Sequence, residues 1–387
     1  MAKIRVLHIG IKNWPYDSIF KDTSLKKKGG GVNKYFHLLI NALPDEIHNI
    51  IITQYTQGLK RKETIGNNTV YRLTPWNLGR KFSQVIFNIK AFFKASRLLK
   101  NGEVDVIHGH MLIGILFSMI LKKIYNVPVV GAPYSIYTKE FGFPLINLAR
   151  YVERNVYSSL DVLIFETEEN RKRAKEIINT EYSNSKVILM GMDLPKDRSV
   201  FYPVEAYADK KLSIIFIGRI VNIKALDRLI SGISLMDDFH KSRIIIDIIG
   251  EGEESEKLQR MIRDYKLENT VFLRGFVENI EEYLANSDMF INPSFMEGTS
   301  IALLEGMSYG LACIINDWGF PFVDHVYVMK NNSPEIIAQT LSIFIDDCGL
   351  INYYKKQSID LIGTEFSLER FADQYVDVYR MCDAAKA

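Results

Sequence analysis

Residues 212–219, Leu-Ser-Ile-Ile-Phe-Ile-Gly-Arg, decide the fold. An almost continuously apolar run ends at a glycine and a cation, and a helical pattern follows it. A run of this composition is typical of a strand that helices cover on both faces of a parallel sheet. Short apolar runs alternate with helical segments through the rest of the chain, and this alternation predicts right-handed βαβ units.

The candidate strands form two series, because the pattern restarts near residue 211. They are residues 4–9, 49–54, 69–73, 104–108, 128–133, 161–165 and 186–190, then 212–217, 244–249, 270–274, 288–292, 312–315 and 326–329. The polar stretch 191–210 contains two prolines and is typical of a domain linker. A chain of 387 residues exceeds what one core usually serves. We therefore predict α/β domains at residues 1–195 and 196–365, followed by a terminal helix in residues 366–387.

Composition excludes several classes of protein. No apolar stretch approaches the roughly 18–20 residues that a membrane span needs, and residues 1–10 are too short and too charged for a signal peptide. Cys313, Cys348 and Cys382 lack metal-ligand spacing and are expected to be reduced thiols of a cytoplasmic protein. No recognised nucleic-acid-binding module accompanies the basic charge, so we expect no nucleic-acid partner.

Charge is divided unevenly along the chain. Residues 1–195 hold 28 Lys and Arg against 16 Asp and Glu, a net charge of +12, whereas residues 196–387 hold 20 against 30, a net charge of −10. The basic half can meet an anionic acceptor or the inner membrane face, or the two halves can simply attract each other. Residues 81–100 form a basic amphipathic pattern that fits a membrane surface or a helix packed on the sheet.

The segment 295–310, Phe-Met-Glu-Gly-Thr-Ser-Ile-Ala-Leu-Leu-Glu-Gly-Met-Ser-Tyr-Gly, is the sharpest motif. We expect Ser300 to cap a helix that begins at about Ile301. Its free N–H groups, with the helix dipole, suit a diphosphate near Gly298 and Thr299. The two carboxylates of this segment, Glu297 and Glu305, can each accept hydrogen bonds from vicinal hydroxyls of a sugar or a ribose.

Three further segments follow predicted strands. Gly218, Arg219 and Lys224 place two cations where they can neutralise a leaving diphosphate without a metal. Glycine-rich backbone lets N–H groups approach a phosphate closely, and the sequence offers it at 26–34 and 248–253. The residues of interest in the glycine-rich and neighbouring segments are Gly30, Gly31, Gly250, Gly275, Phe276 and Val277.

The Glu297-x7-Glu305 spacing, with Gly298 and Gly310, resembles the signature of retaining glycosyltransferases of the GT-B fold, especially glycosyltransferase family 4. The resemblance implies two Rossmann-like domains facing across a cleft, with a C-terminal helix crossing back to the first. It also implies that Glu305 binds the ribose and Glu297 the donor sugar, that Arg219 and Lys224 bind phosphates, and that the base docks at Gly275–Val277. Ala225 stands where the family usually has glycine.

The chain departs from the family on the acceptor side. Many relatives carry a histidine shortly after the fifth strand, and Tyr134 falls at about that place here. His108 and His110 end the preceding strand. Because residues two apart on a strand share a face, one of the two faces the cleft only if the strand ends between them. We keep His110 as a candidate catalytic residue and leave a structural role for either histidine open.

We therefore expect transfer of a sugar from a nucleotide sugar to a sugar, lipid-linked or other hydroxyl acceptor, in cell-surface glycan or glycolipid synthesis. No Asp-x-Asp sequence occurs, so we expect transfer to need neither a metal nor another cofactor. The resemblance to retaining enzymes implies that transfer retains the anomeric configuration. UDP-sugars are the family's commonest donors. The alternatives are a nucleotide-sugar epimerase, a phosphorylase or another GT-B enzyme, and a non-catalytic nucleotide-sugar-binding protein.

Overall fold

The computed structural model describes residues 3–12, 14, 31–55, 58–74, 80–134, 146–195, 211–298 and 300–385. The chain divides into two compact units. The first comprises Met1–Gly191 and Leu368–Ala387, and the second comprises Met192–Ser367. The sequence places these boundaries after residues 195 and 365, whereas the chain divides after Gly191 and after Ser367.

The first unit alternates strands with helices. In chain order its elements are β1 (Ile4–Ile9), α1 (Gly31–Ala42), β2 (Ile47–Gln54), β3 (Lys62–Ile65), β4 (Asn68–Leu73), α2 (Arg80–Lys100), β5 (Val106–His110), α3 (Met111–Tyr125), β6 (Val129–Ala132), α4 (Ile146–Ser158), β7 (Val162–Phe165), α5 (Glu168–Ile178) and β8 (Ser185–Val187). The C-terminal helix, α13 (Leu368–Ala384), also belongs to this unit.

Within the described residues, the sheet of the first unit has the order β3-β4-β2-β1-β5-β6-β7-β8. All neighbours are parallel except β3 and β4. After β1 the chain first builds one side of the sheet and then returns to add β5 on the other side. Ligands of open α/β sheets bind beyond the carboxyl ends of the strands at such a reversal of order, which here lies between β1 and β5.

The second unit repeats this plan after residue 211. Its elements are β9 (Leu212–Ile217), α6 (Leu226–Leu235), α7 (Asp238–Ser242), β10 (Ile244–Ile249), α8 (Ser255–Asp264), β11 (Val271–Gly275), α9 (Ile280–Ala285), β12 (Met289–Asn292), α10 (Ile301–Ser308), β13 (Ala312–Asn316), β14 (Tyr327–Met329), α11 (Pro334–Asp346) and α12 (Cys348–Thr364), before α13 (Leu368–Ala384) of the first unit.

The second sheet is parallel throughout its described pairings, with the order β11-β10-β9-β12-β13-β14. Its order reverses between β9 and β12. Ile214 of β9 and Ile246 of β10 are fully buried, as predicted for strands covered on both faces. A 3₁₀ turn, Asn222–Lys224, lies between β9 and α6 and carries one of the predicted cations.

The predicted strands correspond to strands of the structure, and the α/β class with two parallel-sheet units is confirmed. Strand β3 was not predicted, because its sequence, Lys-Glu-Thr-Ile, carries little apolar signal and it lies at the sheet edge. The terminal helix packs on the first unit. There the Tyr375 hydroxyl lies 2.8 Å from that of Tyr35, and Arg380 pairs with Glu46 at 2.6 Å.

Helix α2 packs on the first sheet through Phe87, Ala91, Ala95 and Leu98, which are all buried. Phe93 of the same helix remains 67% exposed. Among the described residues, none of the helices combines the length and hydrophobicity that a membrane span requires.

The loops that follow β9, β10 and β11 stack backbone against backbone. Gly218 N–H donates to the Ile249 carbonyl at 3.0 Å, and Gly250 N–H donates to the Gly275 carbonyl at 2.8 Å. A Cβ on Gly250 would lie 1.8 Å from the Gly218 carbonyl oxygen, and the φ of Gly250 is +142°. Glycine is therefore required at residue 250 for both space and conformation.

Replacing Gly250 with alanine is expected to destabilise the second unit by at least about 3 kcal/mol, since backbone must move and the residue is held at a φ that disfavours side chains. Urea unfolding measures this change. Gly363→Ala is the matched control, because a Cβ there meets no atom within 4 Å and the residue lies in the last turn of α12. The control should lose no stability and gain up to about 0.5–1 kcal/mol. Equal stabilities for the two variants would contradict the stacking argument.

Candidate active site

The order reversal of the second sheet brings Lys224 and Glu297 together. Lys224 follows β9 and Glu297 follows β12, which are neighbouring strands. The Lys224 Nζ lies 2.6 Å from Glu297 Oε1, and the two side chains are only 16% and 11% exposed. The reversal thus holds a mostly buried ion pair of two predicted site residues at the carboxyl edge of the sheet.

Three side chains converge on one oxygen of Glu297. Besides Lys224, the Asn292 Nδ2 donates to Oε1 at 2.7 Å, and the Ser294 hydroxyl lies 2.9 Å from it. Asn292 and Ser294 are almost completely buried. Among the described residues no donor contacts Oε2. One carboxylate oxygen is thus fixed by the protein, and the carboxylate can present the other to a ligand.

The loop that carries Glu297 is held by backbone contacts. The Phe295 N–H donates to the Ile223 carbonyl at 2.9 Å, so the loop after β12 is tied to the 3₁₀ turn of Lys224. Two buried amides fix the rest of the loop, with Asn332 donating to the Pro293 carbonyl at 2.7 Å and Asn316 to the Ser294 carbonyl at 3.0 Å. Such support positions a charged group before a ligand arrives.

Lys224 owes its position to a tight turn. The 3₁₀ turn ends at Ala225, which adopts a left-handed conformation with φ 51° and is fully buried. Glycine adopts this conformation most easily, which explains why the family that the chain resembles usually has glycine at the position of Ala225. The Ala225 N–H donates to the Asn222 carbonyl at 3.0 Å, and helix α6 begins directly afterwards.

The predicted helix start after Glu297 is confirmed. Ser300 caps α10, and its hydroxyl accepts the Leu303 N–H at 3.4 Å, so Ile301 is the first helical residue. A Cβ on Gly298 would meet no atom within 4 Å. Thr299 lies outside the described residues. Glu305 is partly exposed in α10. The burial of Tyr309 is the main cause that raises the pKa of Tyr309 to about 12, and the charges of Glu281 and Glu305 add to it.

The remaining predicted donor residues of the second unit lie along the same sheet edge. Gly218 and Gly250 are in the stacked loops described above, and Arg219 is exposed beside Gly218. Phe276, 39% exposed, and the partly exposed Val277 follow Gly275 at the end of β11. The structure brings Lys224 and Glu297 into direct contact, while the others share their edge of the sheet.

The first unit has a polar centre of its own. His8 of β1 and His108 and His110 of β5 are fully buried at the order reversal of the first sheet. His8 Nδ1 lies 3.0 Å from His110 Nε2, and His110 Nδ1 lies 2.8 Å from the Tyr134 hydroxyl. Of the predicted glycines, Gly31 is the exposed first residue of α1, and Gly30 lies outside the described residues.

His108 and His110 do not separate onto two faces. Strand β5 continues through both, and their ring centroids are 4.0 Å apart. One histidine could face outward only if the strand ended between the two, and it does not. His110 has no exposed surface and both of its nitrogens lie within hydrogen-bond distance of partners, so any effect on a substrate must pass through Tyr134.

The three histidines form a group whose nitrogens lie within 4.8 Å of one another, close enough in principle to share a metal ion. The rings of His8 and His110, however, have centroids 5.3 Å apart and planes inclined by 20°, with the facing nitrogens 3.0 Å apart. Two nitrogens bound to one tetrahedral zinc ion at about 2.0–2.1 Å would lie about 3.3–3.4 Å apart, whereas the 3.0 Å separation here is that of a hydrogen bond. The geometry is that of an imidazole-to-imidazole hydrogen bond.

Burial lowers the pKa of His8 to about 4 and lowers the pKa values of His108 and His110 well below the usual value. All three are therefore neutral in the folded chain at pH 7, whereas an imidazole in the unfolded chain has a pKa of about 6.5. Below that pH the unfolded chain binds more protons than the folded chain does.

We therefore expect the stability of the first unit to be complete above pH 6.5 and to fall from there towards pH 4. The slope should reach about 1.4 kcal/mol per pH unit for each histidine. Hydrogen exchange of β1 peptides between pH 7 and 5, corrected for intrinsic exchange rates, measures the fall, with β10 peptides of the second unit as an internal reference. A stability of β1 that does not change over this range would contradict neutral buried histidines.

Sequence reasoning missed several residues that build these centres. Asn292 and Ser294 were visible as the end of a strand before Glu297, and their polarity beside an apolar run was the available signal. His8 lies inside a predicted strand, and only the pairing of β1 with β5 shows that it meets His110. Asn316 and Asn332 come from distant segments, and nothing local marks them.

Both halves of the chain match known families. Residues 29–195 match Glycosyltransferase Family 4, and residues 211–347 match Glycosyl transferases group 1. The fold is the GT-B fold of two parallel-sheet units. For example, the structure of Anabaena HepE in complex with UDP-glucose has a TM-score of 0.73 at 15% identity, covering 98% of this chain and all of that one.

Curated relatives agree with these matches over nearly full length. An uncharacterised glycosyltransferase of Methanocaldococcus jannaschii is 22% identical, covering 91% of this chain and 94% of that protein. The N,N'-diacetylbacillosaminyl-diphospho-undecaprenol alpha-1,3-N-acetylgalactosaminyltransferase of Campylobacter jejuni is also 22% identical, covering 92% and 97%. The chain belongs to the family 4 (group 1) glycosyltransferases.

Proposed function

We propose that the chain transfers a sugar from a UDP-sugar to a hydroxyl of a sugar or lipid-linked acceptor, without a metal and with retention of anomeric configuration. The observation that carries the proposal is the Lys224–Glu297 pair at the order reversal of the second sheet. It joins a cation suited to a diphosphate with a carboxylate suited to a sugar. Anabaena HepE, of the same fold, has been seen with UDP-glucose, and the Campylobacter relative is named for a diphospho-undecaprenol acceptor.

In this proposal the donor lies along the carboxyl edge of the second sheet. Arg219, Lys224 and the N–H groups at the start of α10 bind the diphosphate, since cations and helix N-termini both favour anions. The glycines supply backbone that can approach it, and Gly298 supports this, because a Cβ there would meet no atom of the described residues within 4 Å. The residues assigned to the donor are Gly30, Gly31, Gly218, Arg219, Lys224, Gly250, Phe276, Val277, Glu297, Gly298, Thr299, Ser300, Ile301 and Glu305.

The remaining roles are those that the family resemblance implies. Glu305 accepts hydrogen bonds from the ribose, and Phe276 and Val277 contact the base. Glu297 stabilises the positive charge that develops on the sugar as its bond to phosphate breaks. The acceptor oxygen then bonds to the same face of the anomeric carbon, and its proton passes to the departing phosphate oxygen. Charge balance is thus met by the protein's own cations.

A screen of nucleotide sugars tests the function directly. UDP-glucose, UDP-galactose, UDP-N-acetylglucosamine and GDP-mannose are compared by thermal shift, because a selective ligand raises the melting temperature. Transfer to octyl glycosides and to undecaprenyl-diphosphate-linked sugars is then measured with the selected donor, with and without excess chelator. Binding without transfer would indicate a binding protein, and conversion of the donor without acceptor an epimerase. Strong loss with chelator would contradict the metal-free mechanism.

The acceptor side is proposed to meet an anionic membrane surface at the inner, cytoplasmic face. Exposed apolar side chains support this, namely Phe93 of α2 and Ile120 and Ile124 of α3. Rings of the two helices are in contact, with Phe92 and Phe117 centroids 5.6 Å apart. The basic residues Lys122 and Lys123 end α3 beside this apolar face. Apolar residues flanked by lysines suit an interface with anionic lipids.

Phe93→Ser is expected to weaken sedimentation with phosphatidylglycerol vesicles by about fivefold or more, since a largely exposed phenyl group would otherwise be buried in the lipid. Thr364→Ser, a small change at an exposed residue at the end of α12, is the control. If the Phe93 variant binds the vesicles as well as the wild type does, or if neither protein binds them, the proposed membrane contact is contradicted.

A further inference from the structure

A directed chain of hydrogen bonds runs through the first unit and ends on Tyr134. Its inner end is the Ile65 carbonyl, which can only accept. The Asn68 Nδ2 donates to it at 3.1 Å, so the other amide atom of Asn68 is the oxygen. That oxygen accepts from the Asn49 Nδ2 at 2.8 Å. The orientations of both amides therefore follow from a group that has no proton to give.

The same logic fixes the histidines. The Asn49 oxygen faces His8 Nε2 at 3.0 Å, so that nitrogen carries the proton and donates. His8 Nδ1 then accepts, and His110 Nε2 must donate to it at 3.0 Å. Only Nδ1 of His110 is left, as an acceptor, for the Tyr134 hydroxyl at 2.8 Å. Tyr134 therefore donates its proton inward, and its oxygen can offer only lone pairs to any other partner.

The rings are oriented for this chain. The planes of His8 and His110 are inclined by 20°, and those of His110 and Tyr134 by 8°. Nearly parallel ring planes, together with contacts of 3.0 Å and 2.8 Å, let N–H and O–H groups point towards the lone pairs of their partners. Hydrogen bonds in such a series polarise one another, which makes the Tyr134 oxygen a better acceptor. The chain ends in amides, which do not take up protons, so it fixes orientation and does not carry protons away.

Tyr134 is held in an unusual backbone conformation at the outer end of this series of hydrogen bonds. It follows β6 at the carboxyl edge of the first sheet and is partly exposed. Its φ is +62°, which is rare for a bulky residue and costs roughly 1–2 kcal/mol. The ring of Tyr35 packs against it edge to face at 5.1 Å. Strain of this kind persists where the surroundings fix a residue, and it is common at ligand sites.

We propose that the Tyr134 hydroxyl oxygen binds a hydroxyl of the acceptor by accepting its hydrogen bond, and that His110 is the positioning residue that keeps this oxygen free of its own proton. The inference rests on the proposed function. The hydroxyl bound differs from the attacking one, whose own proton must pass to the donor phosphate. The acceptor class is therefore a molecule with at least two hydroxyls, such as a sugar. Burial raises the pKa of Tyr134, so the phenol stays protonated.

Three variants test the proposal with the donor and octyl glycoside on which the wild type is active. Tyr134→Phe should lower kcat/KM for the acceptor by about tenfold or more, because one hydrogen bond is lost. His110→Asn keeps an acceptor near the position of Nδ1 and should stay within about threefold of the wild type. His110→Gln places its amide beyond that position, so its kcat/KM for the acceptor should fall to the level of Tyr134→Phe.

Donor-side readouts separate this role from a structural one. Hydrolysis of the UDP-sugar without acceptor, and UDP binding by calorimetry, should stay within about twofold in all three variants. The inference is overturned if Tyr134→Phe has the same kcat/KM for the acceptor as the wild type. It is also overturned if the two His110 variants have equal activity. Parallel loss of donor hydrolysis also overturns it. A wild type that transfers no sugar from any tested donor refutes the proposed function, and this inference with it.

Discussion

A chain with Glu297 replaced by glutamine is expected to transfer sugar about 10²- to 10³-fold more slowly than the wild type, while UDP binds within about threefold of its normal affinity. The amide keeps the shape of the side chain and can still accept from Asn292, but it carries no charge to stabilise the developing positive sugar. Loss of one such electrostatic group typically has this magnitude. Steady-state kcat and calorimetric Kd measure the two effects.

Asp238→Asn is the matched control for Glu297→Gln. It also turns a carboxylate into an amide and removes an ion pair, with Lys241, in the second unit, but on an exposed helix. We expect its transfer rate to stay within about twofold of the wild type. If Glu297→Gln also retained its transfer rate, Glu297 would be a supporting residue of the loop, and the proposed role in catalysis would be lost.

Replacing Lys224 with glutamine is expected to have the second large effect, on both nucleotide binding and stability. The change removes a cation assigned to the diphosphate, so UDP should bind at least about tenfold more weakly. It also leaves the mostly buried Glu297 carboxylate without its charged partner, and such a loss costs about 3–5 kcal/mol when burial is complete. Calorimetry with UDP and urea unfolding measure the two effects. Lys241→Gln is the control, because the ion-pair partner that it leaves, Asp238, is fully exposed.

The double variant Lys224→Gln, Glu297→Gln separates the two roles of Lys224. Removing both charges should restore part of the stability, with a coupling of about 1–3 kcal/mol, because no buried charge is left unpaired. UDP binding should not recover, since the phosphates still lack the cation. Recovery of UDP affinity in the double variant would show that Lys224 acts on Glu297 alone.

The order of elements was predictable from the sequence because the strands are buried on both faces. The Val- and Ile-rich runs at 212–217 and 244–249 have no other stable environment than a covered parallel sheet, and both are strands with those bounds. Strand β3 was not predictable in this way, since an edge strand needs no apolar side chains. The ends of some elements differ from the prediction, as at Val106–His110. Backbone pairing determines where a strand begins and ends, whereas the prediction used hydrophobicity.

The site was predictable where it follows strand ends and hidden where it depends on strand order. Glu297 and Lys224 each follow a recognisable strand, so both could be singled out. Their contact could not, because it requires β9 and β12 to be neighbours. The chain from Ile65 to Tyr134 was hidden for the same reason: its members come from β1 to β5 and from the end of β6, and each looks unremarkable in its own segment.

The first unit is discontinuous, and this has a consequence for synthesis. Helix α13 supplies the Tyr375 hydroxyl to Tyr35 and the Tyr379 hydroxyl to His108, both in buried positions. A growing polypeptide emerges from the ribosome in order, so the second unit, Met192–Ser367, is complete before these tyrosines exist. The unit that begins first is thus the unit that is completed last, and nascent chains should expose its unfinished interior to chaperones until α13 has been synthesised.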